Sequence, residues 1–331
     1  MQLVQPTTIT LAERVSRACG REVWVKHDNA THPRYGGNKV RKLEHLLDEA
    51  RREGATHLLT AGAAGSHHVL ATVVHGAAAG FKVEAVLTPR PRTAHAMATL
   101  RATIAQGATL HGCSNAADAV VNALARAAVL RAQGHAVNVI RPGGSSARGA
   151  VGYVSAMAEA REQLKDLGVS VDAMVVALGS GGTLAGMLAG ARLHGLATEL
   201  LGVRVAGAWM SPRPAVATLA EGALALALGE RTDVAKSFSR NDIVAIEDHV
   251  GDGYGHPTDE GRAALDLFGE DGISLDLTYT AKAAAGLLSR ARTDPSRRRY
   301  LFWNTLSSAP LGGLVRDTMA PLPPDLDALL L

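Results

Sequence analysis

From residue 56 onward, short apolar and β-branched runs alternate with alanine-rich stretches of helical spacing, and few folds accept such a chain. "THLLT" (56–60) reads as a strand, and "SHHVLATVVHGAAAG" (66–80) as the helix after it. "KVEAVLT" (82–88) leads to a helix over 94–107, "ATLHG" (108–112) to one over 115–133, and "HAVNVI" (135–140) to one over about 147–167. "DAMVVAL" (172–178) precedes a helix from 183, and "LLGVRVA" (200–206), "DIVAIE" (242–247) and "YLFWN" (300–304) add strands. Strands alternating with helices predict an α/β fold of parallel sheets covered on both faces. Alanine and glycine let such helices sit close to the sheet. At 331 residues the chain exceeds the usual size of one core, so one large domain or two coupled lobes are expected. The proline-rich "MAPLPPDL" (319–326) predicts a tail laid over the surface.

Composition excludes several classes of function. Thirty-four basic residues oppose thirty-one acidic ones, and no basic block stands out, which argues against nucleic acid as a partner. The densest cluster, "SRRRY" (296–300), reads as a solvated connection. Cys19 and Cys113 lie far apart and outside any CxxC, as in a reducing compartment. The start lacks a charged and then apolar leader, and no apolar run reaches the roughly 18 residues a bilayer span needs. The expectation is a cytoplasmic protein with no membrane partner. Thirteen histidines show no HExxH and no zinc spacing with cysteine, so no metal is expected.

Ligands of open α/β sheets bind beyond the C-terminal ends of strands, which directs attention to the loops after 60, 178 and 303. "GSGGTLAG" (179–186) opens a helix after an apolar strand. Its backbone amides and the helix start suit an anion. It lacks the GK[ST] of a nucleotide loop, and Leu184 stands where a dinucleotide fingerprint needs glycine. A single phosphate fits, with Thr183 as an added donor; a tight turn that binds nothing is the plainer alternative. "AGAAGSHH" (61–68) places Ser66 at the next helix start, as a cap or as part of a carboxylate site. "YGGNKVRKLEHLL" (35–47) turns through Gly36, Gly37 and Asn38 into a helix beginning near Lys39. Lys39 and Lys42 then share a helical face. A lysine at the positive end of a helix beside another cation has its ammonium disfavoured and its amine made available. Phosphate site, carboxylate site and lysine suggest pyridoxal phosphate; solvated helix lysines are the alternative.

"GGNKVRKLEHLL" (36–47) resembles the lysine segment of the aminocyclopropane-carboxylate deaminase and D-cysteine desulfhydrase family. "VWVKHDN" (23–29), "GSGGTLAG", "GDGYGHPTDEG" (251–261) and "LDLTYTAKAAAGL" (275–287) resemble further family segments, in order, over nearly the whole chain. The resemblance implies a two-lobed pyridoxal-phosphate enzyme of fold type II, each lobe a mostly parallel sheet with helices on both faces. Residues 41–150 would form a smaller lobe inserted into a larger one of 1–40 and 151–331. Lys39 would bond covalently to pyridoxal 5'-phosphate and later move protons. Asn38 and Lys42, with Gly179, Ser180, Gly181, Gly182 and Thr183, would hold the cofactor. Ser66, His67 and His68 would hold the substrate carboxylate. Tyr254 and Tyr279 would flank a small amino-acid substrate; without the resemblance they read equally as packed core tyrosines. The family implies a homodimer.

Within the family, ring-opening deaminases resemble one another in a glutamate after the second tyrosine, at the pyridine nitrogen; here the residue is Thr280. The loop of desulfhydrases that carries a threonine reads "NTLSS" here, with Thr305. A hydroxyl in place of a carboxylate implies a weaker electron sink. That suffices for loss of an α-proton with a good β-leaving group, so the expectation is α,β-elimination, D-cysteine desulfhydrase-like. β-Replacement through an aminoacrylate and a degenerate cofactor-binding protein are the alternatives. The chain also departs from the family. "GSHH" stands for its "QSNH", placing Gly65 and His67 at altered positions, and Leu306 and Ser307 replace two glycines. His67 titrates near neutral pH and reads as a catalytic residue or as a bonded wall histidine.

Overall fold

The computed structural model of the chain describes residues 2–231, 234–235, 237–315 and 321–331. Among these, ten strands follow in chain order: β1 (Ile9–Leu11), β2 (Glu22–Lys26), β3 (His57–Ala63), β4 (Lys82–Thr88), β5 (Thr109–Gly112), β6 (Val137–Ile140), β7 (Ala173–Leu178), β8 (Glu199–Arg204), β9 (Val244–Ile246) and β10 (Arg299–Trp303). The chain divides into two compact units, one of residues 4–42 and 145–308, the other of 1–3, 43–144 and 309–331. The division thus falls at 42/43 and 144/145, and the C-terminal segment belongs with the smaller unit instead of the larger lobe expected for it.

The larger unit holds a six-stranded sheet in the order β1-β2-β10-β7-β8-β9. Every pairing is parallel except that of β1 with β2. Its strands show why a sheet covered on both faces reads as a continuous apolar run. Met174, Val176 and Leu178 of β7 pack into one core with Leu301 and Trp303. Ala173 and Val175 pack into the other with Tyr300 and Phe302. The first core lies under helices Ala147–Asp166, Gly182–Leu193 and Arg213–Leu228, the second under Glu13–Cys19, Asp259–Gly269 and Thr280–Thr293. Small residues set the helix spacing: a Cβ on Gly186 would stand 2.2 Å from the carbonyl oxygen of Ala150.

The smaller unit holds a parallel sheet in the order β5-β4-β3-β6. Its helices include His67–Ala78, Ala94–Ala105 and Ala116–Ala132. Ala119, Ala123 and Ala127 of the last pack on Leu59, Ala61 and Val86 of the strands. The proline-rich C-terminus is docked instead of merely laid on the surface. The amides of Arg90 and Arg92 donate to the carbonyls of Leu329 and Leu331, and Leu326, Leu329 and Leu330 are buried. Met319 and Ala320 of that stretch lie outside the described residues.

A buried charge network crosses the larger unit behind the lysine segment. Arg41 donates from Nε to Asp28 Oδ2 (2.9 Å) and from Nη2 to Asp28 Oδ1 (2.7 Å), a bidentate pair. Arg41 Nη1 also reaches Glu159 Oε2 (2.9 Å), Lys26 Nζ bonds Glu159 Oε1, and the Tyr153 hydroxyl donates to Asp28 Oδ2 (2.6 Å). Burial alone would raise the pKa of Glu159, but its bonds and charge interactions with Arg41 and Lys26 outweigh that and hold it at about 2. A carboxyl depressed in this way contributes stability above its unfolded value of 4.5, and the contribution is lost as pH falls toward 2. Asp28→Ala leaves the Arg41 guanidinium short of its partner in the core, and should cost about 3–5 kcal/mol of unfolding free energy by denaturant titration.

Candidate active site

Helix Asn38–Arg52 starts where Gly36 and Gly37 bring the chain against two other segments. A Cβ on Gly36 would stand 2.3 Å from the Asn29 carbonyl oxygen, and one on Gly37, whose φ is +89°, 2.8 Å from that of Thr305. The Asn38 amide donates to the Thr305 carbonyl (3.2 Å), and the Gly36 amide to Ser307 Oγ (2.9 Å). Thr305 thus meets the lysine segment through its main chain. The serines of this loop tie it down: Ser308 donates from N and Oγ to the Asn29 carbonyl.

This anchorage buries Lys42 and half-buries Lys39. Burial lowers the Lys39 pKa to about 8, with the charge of Asp276 opposing the shift. Burial, and then the charge of Lys39, hold Lys42 well below its ordinary value. Across from them, helix Gly182–Leu193 begins at Gly181, whose φ is +85° and whose missing side chain leaves the start uncapped. A Cβ on Gly182 would come within 3.0 Å of Lys42 Nζ and 2.6 Å of Ser145 Oγ. Asn38 Nδ2 donates to Thr183 Oγ1 (3.1 Å). Ser145 Oγ accepts from the Gly182 amide (3.2 Å) and bonds Ser180 Oγ (2.8 Å). Two disfavoured ammonium groups at a helix start lined by hydroxyls form a cradle that a phosphate dianion fits. Pyridoxal phosphate fits these residues, because an aldehyde-bearing ring needs an amine such as Lys39 within the same site.

The Tyr254 and Tyr279 hydroxyls lie 2.6 Å apart, with the rings edge to face at 5.7 Å. A Cβ on Gly179 would stand 3.2 Å from Tyr279 Cε1, so the second tyrosine borders the glycine loop. Thr280 is turned inward. Its hydroxyl donates to Asp276 Oδ1 (2.7 Å) and accepts from the Asp276 amide (2.7 Å). Asp276 also accepts from the amides of Thr278, Tyr279 and Thr280, at the start of helix Thr280–Thr293. With its proton committed, the Thr280 hydroxyl retains a lone pair for a further partner.

Ser66, His67 and His68 belong to the smaller unit, where Ser66 caps helix His67–Ala78 by accepting from the amides of His68 (3.2 Å) and Val69 (3.5 Å). His68 is buried, and its Nε2 bonds Thr60 Oγ1 (2.8 Å), which itself donates to the Ile140 carbonyl. The ring therefore points into the sheet, and only the main chain of His68 is available at the loop. His67 Nε2 lies 2.7 Å from His95 Nε2. Gly65 (φ +72°) has no room for a side chain, since a Cβ there would stand 2.3 Å from the Ala96 carbonyl oxygen. The family's glutamine is thus excluded by the helix that supplies His95.

Sequence reasoning missed Ser145, Asp276 and His95. "PGGSS" (142–146), a glycine turn after a strand, was the available signal for the first. Asp276 lies four residues before Thr280, outside the helix's cap position, and carried no local signal. His95 carried no signal.

The comparisons agree with this geometry. Residues 1–305 match the model of the pyridoxal-phosphate dependent enzymes, and the chain belongs to that family. It is similar to the D-cysteine desulfhydrases of Klebsiella pneumoniae (35% identity; 86% of this chain, 85% of that protein) and Salmonella schwarzengrund (36% identity, the same coverage). Among solved structures it resembles an ACC deaminase homologue, with 29% identity, a TM-score of 0.81 and 95% of each chain covered. Threonine deaminase isoform 2 from Solanum lycopersicum shares the fold at 17% identity and a TM-score of 0.62, covering 94% of this chain and 84% of that one. The fold type II expectation and the cofactor are borne out.

The Lys39 pKa of about 8, lowered from 10.5, sets a pH-dependent stability. Unfolding lets the amine regain its proton, so apoprotein stability rises as pH climbs from 8 to 10.5. Lys39→Met removes this cost. It should stabilise the apoprotein at pH 7 by up to about 3 kcal/mol in denaturant titrations, a gain that shrinks above about pH 8.

Proposed function

We propose that this chain catalyses pyridoxal-phosphate-dependent α,β-elimination on a small β-substituted amino acid, with D-cysteine as the first candidate. D-cysteine and water would give pyruvate, ammonia and hydrogen sulfide. The observation that carries the reading is the Lys39–Lys42 pair, one half-buried and one buried, at one helix start beside the loop at another. Its support is the set of desulfhydrase relatives similar over most of the chain.

Bound here, the cofactor supplies an electron sink that lets an α-proton and a β-substituent leave. An amine with a pKa of about 8 is partly neutral near pH 7, so Lys39 serves as nucleophile and then as the base that takes the α-proton. Lys42, Asn38, Ser145 and the amides and hydroxyls of 179–183 bind the phosphate. Ser66 and the amides after it bind the substrate carboxylate. The two tyrosine hydroxyls, one donating to the other, flank the substrate as acid-base or positioning groups. Thr280 stands where ring-opening relatives carry a carboxylate, which favours elimination over ring opening. The two units are taken as the lobes of the fold. The reading also carries a homodimer in the cytoplasm; no helix among the described residues is long and apolar enough to cross a membrane.

The test is the visible spectrum of the purified protein before and after D-cysteine, with keto acid assayed in the same cuvette. A band that shifts while keto acid forms is expected, and Lys39→Ala should abolish both. A band that D-cysteine leaves unmoved rejects that substrate. If keto acid is absent but a second nucleophile yields a new amino acid, β-replacement holds instead. No band after pyridoxal phosphate is supplied overturns the reading.

A further inference from the structure

The segment that carries Tyr254 has no regular structure of its own. Between β9 and helix Asp259–Gly269 it runs through turns, with positive φ at Gly251 (+60°), Gly253 (+121°) and Gly255 (+85°). Its own backbone bonds here are long: the Gly253 amide to the Val250 carbonyl and the His256 amide to the Gly253 carbonyl, each 3.3 Å. Those two carbonyls have a second, closer partner. Lys282, in the first turn of helix Thr280–Thr293 and 0% exposed, donates from Nζ to the Val250 oxygen at 2.6 Å and to the Gly253 oxygen at 3.0 Å. Burying an ammonium is costly, and here nearby Asp252 and Asp276 offset part of the cost. The same helix start presents Tyr279, whose hydroxyl meets that of Tyr254.

We propose that Lys282 is a positioning residue for Tyr254, holding the main chain of the tyrosine loop from the helix that also supplies Tyr279. The proposal rests on the reading that Tyr254 acts on the substrate. Tyr254 is then held at both ends, at its hydroxyl by Tyr279 and at its backbone by Lys282. With both ends tied to one helix, the two hydroxyls keep a fixed separation.

A double-mutant cycle tests it. Lys282→Gln and Lys282→Met are each made in the wild-type and Tyr254→Phe backgrounds, loaded with cofactor, and assayed for keto acid release from D-cysteine or whichever substrate is turned over. Hydrogen exchange of residues 250–256 is followed in the apoproteins. The expected result is a loss of at least tenfold in kcat/KM in the wild-type background and less than twofold in Tyr254→Phe. Exchange over 250–256 should rise at least tenfold, with the cofactor band and circular dichroism retained. Equal losses in both backgrounds, or no loss in either, overturn the proposal. Failure of both variants to fold also overturns it, since Lys282 would then be a general structural residue. If Tyr254→Phe alone costs nothing, the reading of the tyrosine has failed and the proposal falls with it; that arm separates the two failures.

Discussion

The bidentate pair between Arg41 and Asp28 governs the chemistry of this chain, although neither side chain is among those assigned to bind or react. Arg41 lies between Lys39 and Lys42 on one helical turn, so fixing its guanidinium fixes the rotation of that turn. Asp28 is itself held by the hydroxyls of Thr7 and Tyr153, and Arg41 reaches on to Glu159. A buried ion pair of this kind contributes little net stability once desolvation is subtracted. Its effect is directional. With Arg41 turned into this network, the lysines on either side are presented away from it.

That arrangement also explains how one lysine of the pair comes to be buried and the other half-buried. A lysine amine in water is protonated and unreactive, and lowering its pKa requires removing water without supplying a full counter-charge. The carboxylates of Asp28 and Glu159 are taken by Arg41 and Lys26, which leaves Asp276 as the negative group that acts on Lys39. Asp276 is in turn occupied by three backbone amides and the Thr280 hydroxyl, so its charge is spread over several donors. The outcome is an amine with a pKa of about 8, which can both attack and accept a proton. A phosphate dianion would bring a counter-charge to the buried Lys42.

The sheets were legible in the sequence because strands covered on both faces are apolar throughout, as β7 and β10 are. β1 was not, since three residues with one buried side chain carry no pattern. Helix Arg213–Leu228 was passed over although it is rich in alanine and leucine, because no strand leads directly into it. In the site, Lys39, Lys42 and the glycine loop announced themselves by local spacing. Ser145 and Asp276 did not, because each acts through a partner whose relevance only the fold reveals. The Arg41 network joins residues 13, 118 and 125 apart in sequence, a juxtaposition no local pattern encodes. Adjacent histidines at a helix start point to different faces, and the bond between His68 and Thr60 turns the His68 ring inward.

The altered loop of the smaller unit behaves as one linked change. At position 65 the space that a side chain would need is filled by the Ala96 carbonyl, so glycine there and the placement of helix Ala94–Ala105 imply each other. That placement brings His95 within a hydrogen bond of His67, the residue that replaces the family's asparagine. Two imidazoles joined nitrogen to nitrogen share a single proton in the bond. The loop beside Ser66 therefore carries a bonded pair of imidazoles where relatives carry an amide. Restoring asparagine at 67 alone would leave His95 in place and the glutamine still excluded. Whatever substrate preference this loop confers is set by the position of helix Ala94–Ala105 as much as by any one side chain.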